Sequence, residues 1–321
     1  MASARVSSVD LVRGAVMVIM ALDHTRDFFH AGAMHFAPED LARTTPLIFF
    51  TRWITHFCAP VFAFTAGLGA WFRLERTGDR RDLARFLLTR GLWLVLLEVT
   101  AVRFAFFFNW TYDPTFLLVF WMLGLGMVTL AALIALPLPA LAVTSVAVIA
   151  LHNLVAPLAP PALSALGAWA PLAVILHQPG LLSVSPLVVV GYPLIPWVFV
   201  VSAGFCFGAF YRLTPELRRS RLLALGLAMI VLFLGLRAIN AYGDPRPWAA
   251  QATGLMTAVS FLNVTKNAPS LAFLLMTLGP AILALGLGDR ARPSAAHPLV
   301  VFGRTPLFYF LAHFMLIHLL A

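Results

Sequence analysis

Apolar runs about twenty residues long recur from one end of this chain to the other, with most of its arginines gathered in the short segments between them. A helical run of that length matches the ~30 Å hydrocarbon core of a bilayer. In that medium a backbone has to satisfy its own hydrogen bonds, which leaves helices or closed barrels as spanning forms. Barrel strands would appear as runs of about ten residues with strict alternation, and these runs are longer and not alternating. Composition agrees, since only 11% of the 321 residues are charged and 61% are hydrophobic, against about 25% charged in soluble domains. The expected fold class is an all-α, polytopic transmembrane helical bundle.

Candidate spans fall near residues 11–29, 46–72, 84–108, 115–136, 138–156, 187–211, 221–240, 269–288 and 298–320. The last run ends abruptly at Ala321, so one further C-terminal span is expected, giving about nine to ten spans in a single domain over residues 1–321. The segments 73–90 (Arg73, Arg76, Arg80, Arg81, Arg85, Arg90) and 212–221 (Arg212, Arg218, Arg219, Arg221) read as cytoplasmic by the positive-inside rule. Threading the spans between them puts the N-terminus in the cytoplasm. It puts the acidic segment with Asp23, Asp27, Glu39 and Asp40, the Pro-rich stretch 157–186 and the segment 241–268 outside, with His24 near the outer end of the first span and Arg13 deeper toward the cytoplasm. The six prolines in 157–186 exclude one regular helix there. The net charge of +9 would suggest nucleic acid in a soluble protein. Here topology accounts for it, and no nucleic-acid partner is expected. Cys58 and Cys206 both fall inside candidate spans and say nothing about redox compartment.

Ionisable groups inside membrane-length helices are costly and mark candidate functional paths. Arg13 and His24 lie eleven positions apart in the first span, close to three whole turns, so they share one stripe roughly 16 Å apart along the axis. Asp23 adjoins His24 and Asp27 follows one turn later, so a carboxylate could orient the ring as a general base requires. Arg13 is read either as pairing with Asp10 or snorkelling, or as binding an anion or phosphate. His56, within TRWITHFCAP, is either a satisfied core histidine or a catalytic one. Glu98 reads as a buried partner for an arginine. His313 and His318 are five apart, about 140° around a helix, which is poor geometry for a metal pair. No histidine or carboxylate spacing on one helix suits a metal, and none is expected as a cofactor. Neither a GxGxxG after a strand nor a GxxxxGK[ST] loop occurs.

The stretch Ser8–His24, SVDLVRGAVMVIMALDH, resembles the opening helix of the heparan-alpha-glucosaminide N-acetyltransferase family. Its Arg, ten variable residues and His also resemble the signature of membrane acyltransferases that O-acylate surface sugars. HFCAPVFAFTAG from His56, NVTKNAPSLAFLLMTLG from Asn263 and FGRTPLFYFLAHFMLIH from Phe302 are similar to bacterial members of that family. The resemblance implies an integral protein of the bacterial inner membrane that moves an acyl group, acetyl above all, from cytosolic acyl-CoA (acetyl-CoA as co-substrate) to a sugar-like hydroxyl or amine acceptor at the outer face.

The resemblance carries Arg13 and His24 onto that signature, and the charge layout adds the rest: His24 as base, oriented by Asp23 or Asp27 with His56 near, and Arg13, Arg90 and Arg304 on the inner side as contacts for the CoA phosphates. His35, Asn263, Lys266 and His313 fall on the acceptor side, with Asn263 or Lys266 as oxyanion donors. His35 matches a lumenal-loop histidine when counted without gaps, although FAPED follows it where the family has Trp-Asn-Gly. Besides the bilayer, a homodimer is compatible with this reading. Two other readings stay open: a proton-coupled transporter with an Asp/His relay of Asp23, His24, Asp27, His56 and Glu98, and a structural membrane protein whose polar residues lock helices together.

Overall fold

The computed structural model describes residues 6–33, 35–165 and 167–321, without the side chains at 159, 160 and 164. Its elements run α1 (Ser7–Phe29), α2 (Pro46–Thr55), α3 (Cys58–Thr77), α4 (Arg80–Leu97), α5 (Arg103–Phe107), β1 (Thr115–Leu117), α6 (Val119–Leu133), α7 (Leu138–Val155), α8 (Ala159–Ser164), α9 (Pro171–Leu176), β2 (Gly180–Val184), β3 (Leu187–Val190), α10 (Trp197–Phe207), α11 (Pro215–Ile239), α12 (Gly254–Leu262), α13 (Leu271–Leu287), α14 (Pro298–Arg304) and α15 (Pro306–Leu320). They form two compact units. One holds Phe62–Thr214 with Lys266–Leu271, and the other holds the described part of Arg5–Val61 with Pro215–Thr265 and Ala272–Ala321.

The protein is mostly helical and suited to a membrane. Among the described residues Pro46–Thr77, Leu138–Val155, Pro215–Ile239 and Leu271–Arg290 are long and apolar enough to cross a bilayer, and Pro298–Leu320 is a fifth if its two bent halves count as one. α1 has the length as well, but carries Asp10, Arg13, Asp23, Arg26 and Asp27.

Proline marks two of the expected spans. Residues 46–72 fall within Pro46–Thr77, one run long and apolar enough to cross a bilayer, with a short turn between Thr55 and Cys58 that separates α2 from α3. Pro60 has no N–H for the carbonyl of His56 and its ring would strike that carbonyl in a continuous helix. Residues 298–320 are likewise two helices that meet at 98°. Pro306 drives the residue before it out of helical geometry, and Thr305 stands at φ −121°, ψ 42° as the junction.

The fold also departs from purely helical. β1, β3 and β2 form a three-stranded sheet in that order, β1 parallel and β2 antiparallel to β3. β1 and β3 occupy the starts of what were expected as spans 115–136 and 187–211. Leu187–Val190 is rich in β-branched side chains, which fit a pleated surface, and Pro114 and Pro186 immediately precede the two strands and block helix continuation.

In the first unit, α3 and α10 approach backbone to backbone. A Cβ on Gly67 would sit 1.8 Å from the Val201 carbonyl oxygen, whereas Gly69, one turn-half away on the same helix, has nothing within 4 Å of its Cβ position. Helix association without a hydrophobic drive depends on such small residues. Gly67→Ala is therefore expected to destabilise by about 1–3 kcal/mol or more, because the atom it meets is backbone and cannot swing aside. Gly69→Ala should leave the melting temperature in detergent unchanged. Equal melting of the two variants would show that the helices do not meet this way.

Glu98, expected to pair with an arginine, does something else. It opens a π-helical turn, Glu98–Val102, and its Oε2 accepts the backbone N–H groups of Phe120 and Trp121 at 2.7 and 2.9 Å. These are donors that the start of α6 leaves without helical partners, so the carboxylate caps a helix. Arg103 instead donates to the carbonyls of Pro114 and Asn109.

The second unit is organised around α1. Gly14 lies so close to α14 that a Cβ would fall 1.8 Å from the Leu299 oxygen, and a Cβ on Gly303 would fall 2.0 Å from the Asp10 oxygen. With α14 clamped to α1 there, the turn at Thr305 carries α15 along the rest of α1. That placement sets the site.

Candidate functional site

α1 is unbroken from Ser7 to Phe29, so Arg13 and His24 do stand three turns apart on one helix, each half-buried. The ring of His24 meets α15. Its Nδ1 lies 2.8 Å from Nε2 of His313, with the two ring planes 12° from parallel. Phe310 and Phe314 pack edge-on against the His24 ring at 5.7 and 4.5 Å, and Tyr309 stacks on His313 at 4.9 Å. One turn further along α1, Phe28 stacks on His318 at 4.6 Å. An imidazole pair is thus set in an aromatic, weakly polarising surround, where electrostatic interactions are strong.

Nδ1 of His24 thus faces an imidazole. Asp23 and Asp27 belong to an adjoining ionic cluster. Asp23 accepts hydrogen bonds from Arg26 Nη2, from Arg52 Nη1 at 2.8 and 2.9 Å, and from Thr55 Oγ1 at 2.9 Å. Arg26 also reaches Asp27 at 2.8 Å, and Arg52 Nε donates to Glu39 Oε1 at 2.8 Å.

His56 is wholly buried at the end of α2, its Nε2 3.6 Å from Glu39 Oε1 and its ring edge-on to Phe273 at 5.3 Å. Asn263 donates its side-chain N–H to the Glu39 carbonyl at 2.9 Å. α1, α2, the 30–45 loop and the end of α12 are therefore tied by one chain of polar contacts.

Glu39 is the hinge of that chain. Burial alone would raise its carboxyl, but the His56 ring and the Arg52 guanidinium outweigh burial and hold it well below the usual carboxylate range. A depressed folded value contributes stability above the unfolded value near 4.3 and loses it as pH falls further toward the folded one. Glu39→Gln should therefore lower thermal stability at neutral pH and flatten the loss of stability below about pH 4. A variant that melted like the parent at pH 7 and at pH 3 would contradict this.

The remaining candidates have contacts of their own. Arg304 pairs with Asp10 at 3.3 Å, at the α14–α1 contact. Arg90, exposed on α4, lies over the Phe86 ring at 5.8 Å, and Lys266 lies 5.9 Å from the Tyr192 ring centroid; both belong to the first unit. His35 is exposed, and its backbone carbonyl accepts from Arg43. Arg26 was not among the expected site residues, although its i,i+3 spacing from Asp23 is a pairing signal. Among the described residues no three His, Cys, Asp or Glu side chains are gathered to hold a metal ion.

A mostly helical chain with bilayer-length apolar helices, a histidine pair packed among aromatic rings and an ionic cluster beside it has the character of an integral membrane protein with a polar site. The family model described as heparan-alpha-glucosaminide N-acetyltransferase, catalytic, matches residues 5–243, and the chain belongs to that family. It is a member of a membrane acetyltransferase family on this ground. No curated protein matches the chain.

Proposed function

We propose that this protein transfers an acetyl group from cytosolic acetyl-CoA to a hydroxyl or amine of a sugar-like acceptor at the outer face of a bacterial inner membrane, with its N-terminus in the cytoplasm. In this reading the protein has nine to ten spans. The observation that carries it is the family match across α1, together with the placement of the His24 imidazole against His313 in an apolar surround.

In the proposed reaction His24 takes the proton from the acceptor O–H or N–H as that atom attacks the thioester carbonyl. The new C–O or C–N bond forms, the C–S bond breaks, and the thiolate of CoA leaves with the proton that His24 returns. No serine or cysteine nucleophile and no metal is required. Arg13, Arg90 and Arg304 are proposed for the anionic groups of CoA, whose phosphates suit guanidinium forks. His35, Asn263 and Lys266 are proposed on the acceptor side. Asp23 and His56 contribute by fixing α1 and α2 through the Arg52 and Glu39 contacts, and Asp27 is proposed beside His24 at the solvent-facing side of the cluster.

The test is acetyl transfer by purified protein in proteoliposomes, with labelled acetyl-CoA on one side and glucosamine or an acetylatable glycan on the other. Transfer across the bilayer is expected. Proton flux without any donor, and no binding of acetyl-CoA, would instead favour a transporter using the same aspartates and histidines.

A further inference from the structure

We infer that His313 fixes which nitrogen of His24 carries the proton, so that the two form a histidine–histidine dyad with the basic lone pair on Nε2 of His24. His313 lies outside the residues that the family model matches, and nothing in that match assigns it a role.

The argument begins at a carbonyl. Nδ1 of His313 lies 2.6 Å from the backbone oxygen of Tyr309, one turn earlier on α15. A carbonyl oxygen only accepts, so at that distance Nδ1 has to be the N–H nitrogen; two lone pairs would otherwise face each other. A neutral imidazole has one N–H, which makes Nε2 of His313 the acceptor. Its neighbour at 2.8 Å is Nδ1 of His24, and that atom has to donate. The lone pair of His24 is then on Nε2, on the far side of its ring.

The order Tyr309 carbonyl, His313, His24 is set by one fixed acceptor and propagates through two rings. The tautomer of an imidazole at a site is commonly set by the hydrogen bond its other nitrogen makes. Here a second imidazole does what a carboxylate does in more familiar arrangements. When His24 gains a proton on Nε2, its Nδ1–H still donates to His313, and the bond becomes charge-assisted and stronger. The aromatic rings of Phe310 and Phe314 against His24 keep both rings from rotating out of line.

His313 is on this account a positioning residue, and its kinetic consequence rests on the reaction proposed above, whereas the tautomer itself does not. Nitrogen-15 solid-state NMR of histidine-labelled protein in lipid bilayers reads the tautomer directly, with the His24 signals identified by difference from His24→Gln. The expected wild-type spectrum has His24 protonated on Nδ1 with a bare Nε2. In His313→Ala it should shift toward the Nε2–H form, with kcat reduced about 10²-fold, the low end of what a positioned base supplies, and KM nearly unchanged. His313→Gln should restore much of both, because its side-chain oxygen can accept from His24 Nδ1–H.

An Nε2–H tautomer at His24 in the wild type overturns the inference, as does a His313→Gln protein no better than His313→Ala. A wild type with the expected tautomer that transfers no acetyl group upholds the dyad and sinks the proposed reaction.

Discussion

His24→Ala is expected to lower acetyl transfer by about 10²–10⁴-fold, the range that a positioned general base contributes, while acetyl-CoA still binds and the melting temperature stays within a few degrees of the parent. The reason for separating the two readouts lies in the site. The His24 ring is held by aromatic neighbours and by one imidazole, so its loss removes a base and some packing. The ion pairs of α1 and α2 remain. Transfer at the parental rate by a folded His24→Ala protein would remove His24 from the mechanism. Arg13→Ala, by contrast, should weaken donor binding with a smaller effect on the bound-state rate, since an anion contact made equally in ground and transition state changes KM more than kcat.

Asp23→Ala is expected to have the largest effect on stability, a loss of about 3–5 kcal/mol, as is usual when one member of a buried ionic network is removed and its partners are left charged. Its side chain is 12% exposed, that of Arg26 is 7%, and that of Arg52 is 18%. Asp27, whose side chain is 48% exposed, makes the internal control: Asp27→Ala should cost about 1 kcal/mol or less. Thermal unfolding in detergent, followed at one pH for all three proteins, distinguishes them. If Asp23→Ala and Asp27→Ala melt together, Asp23 is not the anchor of α1 and α2. Activity lost by Asp23→Ala should track the lost folded fraction, which separates an anchor from a base.

Much of this was legible in the chain because bilayer physics leaves few alternatives. The length of the apolar runs announced helices, and the positions of Arg13 and His24 on α1 needed only the helical repeat. The turns at His56–Phe57 and at Thr305 are also written there, in Pro60 and Pro306, but the surrounding apolar runs read as continuous because a single proline leaves hydropathy unchanged. The sheet was harder to see, since Leu187–Val190 is as apolar as any span and a run of four cannot tell strand from helix. Glu98 was misassigned for a different reason. Its partners are backbone N–H groups at the start of α6, and main-chain donors leave no mark on side-chain spacing.

What the sequence determined by itself was the kind of solvent this protein lives in, the helical character that solvent enforces, and the presence of a cation and an imidazole on one face of α1. These follow from composition and a fixed repeat, which are local properties. Only the tertiary structure decided the long-range partners: that Asp23 holds Arg52 of α2, and that His24 faces His313, 289 positions away. The physical reason is that hydrogen bonds are settled by which helices touch. Here that depended on Gly14 and Gly303 admitting α14 against α1 and on a right-angle turn at Thr305 laying α15 along what remained.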